Sequence, residues 1–271
     1  MVRLIFPLFL VLLYSGCSSL EEKDDTLGWD AQTLFNQAND KLKAGNYTKA
    51  IYYYDRLAAR YPYGDFTQQA QLNKAYAHYR ANEPAAALAT ANDFIRFNPR
   101  HAAVAYAHYL KGLIHFTPDV GLLDRIMPTD SAQRDPGSTL EAYHDFAKVV
   151  QDFPNSRYAK DARQRMLFLR NNLARNEIYI ARYYLKRGAF LAAANRANYV
   201  VKHYARTPSV KPALEIMQQA YTQLGLDQLA ADARKVLAFN QNNGSLIEPS
   251  TLPADPSWLQ SAWEYLELDK N

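Results

Sequence analysis

The sequence predicts an all-α fold, a superhelical array of about five helix pairs with a loop inserted in the third pair and a long helix opening the fourth. Three observations predict it. From Asp30 onward the apolar residues follow a helical period. A unit recurs with a fixed internal ruler: a small turn, an aromatic residue or Pro, then Ala, with Pro twelve residues beyond that Ala. Successive ruler alanines, Ala50, Ala87, Ala142, Ala193 and Ala230, lie 37, 55, 51 and 37 residues apart, so one basic period is twice stretched.

The N-terminus comes first in chain order. Met1 and Arg3 lead into an apolar run from Leu4 to Tyr14, which Ser15-Gly16-Cys17-Ser18-Ser19 cuts off. That run is about half the ~20 residues a membrane-spanning helix needs. A charged start, a short apolar core and small residues at the end describe a secretory signal over residues 1–16. Cys17 is the chain's one cysteine, so no disulfide can form. Exported chains pair their thiols or avoid them, which makes a free Cys17 odd unless it is modified. The run before it resembles the bacterial lipobox, with Tyr14 where that motif usually has Leu. The resemblance implies cleavage before Cys17, lipidation of Cys17 and, with Ser18 rather than Asp next, sorting to the outer membrane. Residues 17–29 are mostly polar, charged and without period, and are expected to form a flexible tether.

The repeats follow. Gly45-Asn46-Tyr47 leads to Ala50 and Pro62, Asn82-Glu83-Pro84 to Ala87 and Pro99, and Gly137-Ser138-Thr139 to Ala142 and Pro154. Gly188-Ala189-Phe190 leads to Ala193, with Ala205 in place of the Pro, and Gly225-Leu226-Asp227 leads to Ala230. Ala on the second helix of each pair lets two helices approach closely, and Pro then stops the helix. Ala50-x3-Tyr54 and Ala142-x3-Phe146 add the aromatic side chain that fills the groove between units. The pattern resembles the tetratricopeptide repeat. The first stretched interval holds Thr117 to Pro136, rich in Pro and without helical period, which is expected to be a loop inserted in repeat three. The second holds Ser156 to Arg187, without Pro or Gly, and predicts one helix of about 30 residues opening repeat four.

Composition narrows the function. Against 31 basic residues stand 27 acidic ones, which gives no electrostatic case for nucleic acid. His101, His108 and His115 are each seven apart. That spacing sets them about 10 Å apart along a helix, too far to share a metal. No phosphate-cradling Gly loop and no Gly-x-Ser-x-Gly elbow occurs, so an enzyme is not expected, nor any cofactor beyond the lipid on Cys17.

Three runs go further: Arg60-Tyr61-Pro62-Tyr63-Gly64, Phe94-Ile95-Arg96-Phe97-Asn98-Pro99, and Arg134-Asp135-Pro136 followed by Tyr143, Phe146 and Phe153-Pro154-Asn155-Ser156. With the lipobox-like start and five repeats in this order, the chain from Asp30 to Phe239 resembles the BamD family, lipoproteins of the outer-membrane β-barrel assembly machinery. The resemblance implies a non-enzymatic, lipid-anchored subunit on the periplasmic side of the outer membrane. Its implied partners are a POTRA domain of BamA, accessory Bam lipoproteins and the C-terminal signals of unfolded barrel proteins, alternating stretches ending in an aromatic residue. Residues 30–155, repeats one to three, would receive the signal. Candidate contacts are Tyr61, Tyr63, Tyr76, Tyr79, Arg80 and Tyr109, since tyrosine faces near a cation suit an aromatic side chain followed by a carboxylate. Packing between helices explains such residues equally well. Residues 156–240, repeats four and five, would dock BamA, with Arg196 matching a family contact to an acidic residue. Lys160 to Arg187 carries eight basic residues against Asp161 and Glu177. A different tetratricopeptide lipoprotein, a secretion pilotin or a cell-wall enzyme adaptor, shares export, anchor and fold; the Arg60–Gly64 run, the insertion and the long helix favour the first reading.

Residues 241–271 close the chain. Pro249, Pro253 and Pro256 mark an extended linker, and Trp258, Leu259, Ala262, Trp263 and Leu266 fall on one face of a short acidic helix expected to dock on the later repeats or on a partner.

Overall fold

The computed structural model describes residues 24–116 and 136–247. The signal sequence, Cys17, residues 18–23 of the tether, residues 117–135 of the inserted loop and the C-terminal residues 248–271 lie outside the described residues. Among the described residues the protein is all-α, with ten helices. In chain order they are α1 (Ala31–Lys43), α2 (Tyr47–Arg60), α3 (Asp65–Arg80), α4 (Pro84–Phe97), α5 (Val104–Phe116), α6 (Pro136–Asp152), α7 (Ala159–Lys186), α8 (Phe190–His203), α9 (Val210–Gln223) and α10 (Asp227–Asn242). Each helix packs on the next, and α1 meets α3, α3 meets α5 and α7 meets α9. Neighbours along the chain plus next-but-one contacts make a one-dimensional stack of helix pairs.

The ruler has a backbone cause. Gly45, Asn82, Gly188 and Gly225, each five residues before a ruler alanine, have φ between 61° and 75°. At each, the same turn closes the preceding helix: in the first, the N–H of Gly45 donates to Leu42 O and that of Asn46 to Lys41 O. This left-handed C-terminal motif favours Gly and tolerates Asn, which is why the turn residue is small. The ruler alanines are buried, as are Tyr54 and Phe146 four residues on. Helix α8 ends in register although Ala205 replaces Pro. There the hydroxyl of Thr207 donates to the carbonyl of Tyr204 at 2.8 Å, satisfying a group that the helix end leaves open.

Two hydrophobic cores result. One runs from Leu34 to Leu169 and the other from Ala174 to Ala220. Both claim side chains of α7, 28 residues long, so the cores meet inside that helix.

The tether expectation fails for residues 24–29. Asp24 pairs with Arg60 at 2.5 Å, Asp25 with Lys49 at 3.3 Å, and Thr26 is fully buried. The hydroxyl of Tyr61 donates to the carbonyl of Trp29 at 3.1 Å. Opposite charges and an aromatic contact, Trp29 on Tyr53 at 5.6 Å, seat this segment on α2. A charged stretch without period reads as solvated until its partners are known.

Close approach is tightest at Gly112, where α5 crosses α6. A Cβ there would stand 2.6 Å from Cε1 of Phe146, itself fully buried. Gly112→Ala is expected to cost about 1–3 kcal/mol of stability by overpacking, read as a lowered urea midpoint with an unchanged slope.

Candidate functional site

The candidate signal residues separate into exposed and structural groups. Tyr63, in the turn between α2 and α3, is 91% exposed, and Phe66 in the first turn of α3 is 41% exposed. Phe66 meets Phe35 of α1 with ring centroids 5.3 Å apart. The turn is held open by Gly64 at φ 115° and by Thr67, whose hydroxyl donates to the carbonyl of Tyr61. Tyr61 itself is half-buried and engaged with Trp29.

The other end of α3 carries Tyr76, Tyr79 and Arg80. Tyr76 is only 2% exposed and belongs to the core. Its hydroxyl accepts a 2.9 Å hydrogen bond from Nη1 of Arg80, whose guanidinium also lies 5.4 Å from the ring centre of Tyr47. Burial pushes the Tyr76 hydroxyl up to about 12, so it stays neutral and works as an acceptor for the cation. Tyr79 is half-buried against Tyr76 at 6.2 Å. Tyr76 therefore holds the Arg80 guanidinium from a buried position.

Tyr109 does not face a free surface. It is 2% exposed, stacked on Tyr158 at 5.1 Å, and its hydroxyl donates to Oδ2 of Asp161 at 2.5 Å. The cause is the start of α7 and Tyr158 just before it: Tyr158 packs on the rings of Tyr109 and Tyr106, the latter at 5.5 Å, and Asp161 takes the Tyr109 hydroxyl. Arg165, one of the eight basic residues between Lys160 and Arg187, is buried in the same junction. It pairs with Asp161 and lies 5.6 Å from the ring of Tyr109 and 5.7 Å from that of Phe146. Asn39 of α1 accepts from Tyr54 at 2.5 Å and from Asn73 at 2.8 Å, a polar tie between repeats one and two.

The histidines have packing and pairing roles. His101 meets Phe94 edge-on at 5.3 Å. His115 bonds Asp145 at 2.8 Å, and Lys111 pairs with the other oxygen of that carboxylate at 3.0 Å. Burial alone would raise the pKa of Asp145, but the His115 and Lys111 bonds outweigh it and hold the carboxyl below its ordinary value. Sequence reading missed this buried cluster because Asp145 is 30 residues from His115.

In the second half Arg196 projects from α8 with its side chain 46% exposed. It already has a partner, since Nη1 donates to Glu177 of α7 at 3.1 and 3.4 Å. That carboxylate is the more covered of the two side chains. Arg170 and Arg175 are half-buried, and Arg182, Lys186 and Arg187 are exposed.

The family model described as YfiO, outer membrane lipoprotein, matches residues 29–237. The chain belongs to this family. A relative in Neisseria meningitidis serogroup A, named outer membrane protein assembly factor BamD, is 39% identical over 269 residues, 98% of this chain and 99% of its own. A relative of the same name in Xylella fastidiosa is 36% identical over 246 residues, 91% of this chain and 84% of its own. Among solved structures, a tetratricopeptide repeat protein from Parabacteroides merdae aligns over 91% of this chain and 78% of its own, with 17% identity and a TM-score of 0.38. The matched residues run from two positions before α1 into α10.

The junction around Arg165 gives a stability test. Asp161→Ala leaves the Arg165 guanidinium buried without its carboxylate and removes the bond to Tyr109. The expected loss is about 3 kcal/mol in denaturant unfolding. Arg163→Ala, on the exposed side of the same turn, should stay within about 0.5 kcal/mol.

Proposed function

We propose that this protein is a non-enzymatic subunit of the machinery that assembles β-barrel proteins into the outer membrane. It is anchored at the periplasmic side by lipid on Cys17, receives the C-terminal signals of unfolded barrel proteins on repeats one and two, and docks a POTRA domain of BamA through repeats four and five beside accessory Bam lipoproteins. Family membership and the assembly-factor names of its relatives support the coarse reading.

The observation behind the finer one is the placement of aromatic and cationic groups at both ends of α3. Tyr63 and Phe66 stand at its start, and Tyr79 and Arg80 at its end. Sixteen helical residues separate these ends by about 24 Å. An extended strand covers that distance in about seven residues, with alternate side chains on one side. This geometry suits a linear alternating segment and is too long for a compact ligand. Tyr109, covered at the junction with α7, supports this surface from beneath.

A photo-crosslinker at Tyr63, and separately at Tyr79, should capture an alternating peptide ending in Phe. Capture should fall when that Phe becomes Ala, while equal capture of a scrambled peptide rejects specific reception.

Docking at Arg196 is tested by calorimetry with an isolated POTRA domain of BamA. Arg196→Ala removes the exposed cation and leaves the more covered Glu177 carboxylate facing the partner's acidic residue. The expected loss is about 2 kcal/mol, above the usual worth of an exposed ion pair. Unaltered affinity moves the contact elsewhere.

A further inference from the structure

We propose that Asp24, Asp25 and Thr26 form a latch on α2 that holds the first repeat close to the membrane and makes the α1–α2 end the lipid-facing surface of the array. The inference rests on the reading of Cys17 as the lipidated residue.

The latch is built from both partners. Oδ2 of Asp24 meets Nη2 of Arg60 at 2.5 Å and Nη1 of Arg56 at 3.8 Å. The other nitrogen of Arg60 donates to the carbonyl of Thr26 at 2.5 Å, so one guanidinium grips side chain and backbone together. Thr26 folds back on Asp24, its N–H and hydroxyl donating to Oδ1 at 3.0 and 2.5 Å. Asp25 meets Lys49 at 3.3 Å and the hydroxyls of Tyr52 and Tyr53 at 3.4 Å each. On α2, residues 49, 53, 56 and 60 follow steps of four, three and four, which is one helical stripe. The bonds from Thr26, with Arg60 and Arg56 beyond them, hold the Asp24 carboxyl at about 2, so it is fully charged at neutral pH. A single exposed ion pair is worth little. Here several converge on three consecutive residues, one of them fully buried.

The geometric consequence follows from chain length. Seven residue steps separate Cys17 from Asp24, and a fully extended chain of that length reaches about 25 Å. Without the latch the tether would run thirteen steps to Asp30, a reach of about 45 Å. The latch nearly halves the leash and fixes the direction from which it arrives. Tyr63 lies three residues beyond Arg60, so the exposed aromatic end of α3 is held on the membrane side.

Two measurements test this, and they fail separately. In the full chain with Cys17→Ser, trypsin cleavage after Lys23 requires Asp24 to Thr26 to leave α2 and enter the protease. Arg60→Gln should speed that cut at least tenfold with unchanged helicity, and so should Thr26→Ala; an unchanged rate in both overturns the latch whatever Cys17 carries. In the lipidated chain on phosphatidylethanolamine–phosphatidylglycerol vesicles, a dye on Ala58→Cys should transfer energy to a lipid acceptor more efficiently than one on Ala238→Cys at the far end. The difference should shrink in Arg60→Gln. Equal transfer from both positions in the latched chain overturns the membrane-proximal assignment. Failure of the membrane-extracted chain to carry lipid counts against the anchor reading, and the trypsin rates then still decide the latch.

Discussion

One helix serves two hydrophobic cores. The first turns of α7 close the core of repeats one to three and its later turns build the core of repeats four and five. Its 28 residues form a continuous rod, so the two halves cannot move independently without bending a helix or pulling Arg165 out of its aromatic pocket. Burying a guanidinium is unfavourable unless charge and hydrogen bonds are supplied. Asp161 supplies the charge, and the faces of Tyr109 and Phe146 supply further attraction. Phe146 is also the side chain that forbids a Cβ at Gly112. The junction thus joins three helices, α5, α6 and α7, through one tightly filled site.

This junction decides which aromatic residues of the array are covered. It covers the inward tyrosines of repeat three and leaves those at the two ends of α3 partly open. Further along α7, Glu177 accepts a hydrogen bond from Arg196 of α8. The aromatic ends of α3 and the Arg196 side of α8 are thereby carried by one stiff body. At the opposite end the chain entering from Cys17 is gripped by α2, whose basic stripe meets Asp24 and Asp25. A stacked array of this kind fixes distances between surfaces far apart along it, since each helix pair rests on its neighbours.

The repeat register was legible because its causes are local. A left-handed turn needs Gly or Asn, close helix contact needs Ala, and a helix stop is readily supplied by Pro. Asn82 at φ 61° and the ending of α8 without Pro show that the ruler records a backbone geometry and tolerates other residues that can adopt it. The candidate surface was legible only in part. Tyr63 is exposed, and Tyr79 and Arg80 stand at the far end of α3. Tyr76 and Tyr109 share their helical spacing but are covered, because periodicity gives the face of a helix and says nothing of what packs on that face.

The sequence by itself determined the fold class, the number and phase of the helix pairs, the long helix and the family, since each is written in residues close together along the chain. The tertiary structure decided which side of each inward stripe stays open, where the two cores divide, and that Arg165 is inside while Arg163 is outside. It decided as well that a charged segment before the first helix is seated on α2. Those outcomes depend on pairs separated by many residues, 30 for His115 and Asp145, 36 for Arg60 and Asp24, and 52 for Tyr109 and Asp161. A charge or an aromatic ring is the same symbol in the sequence whether water or a partner surrounds it, and only packing tells the two apart.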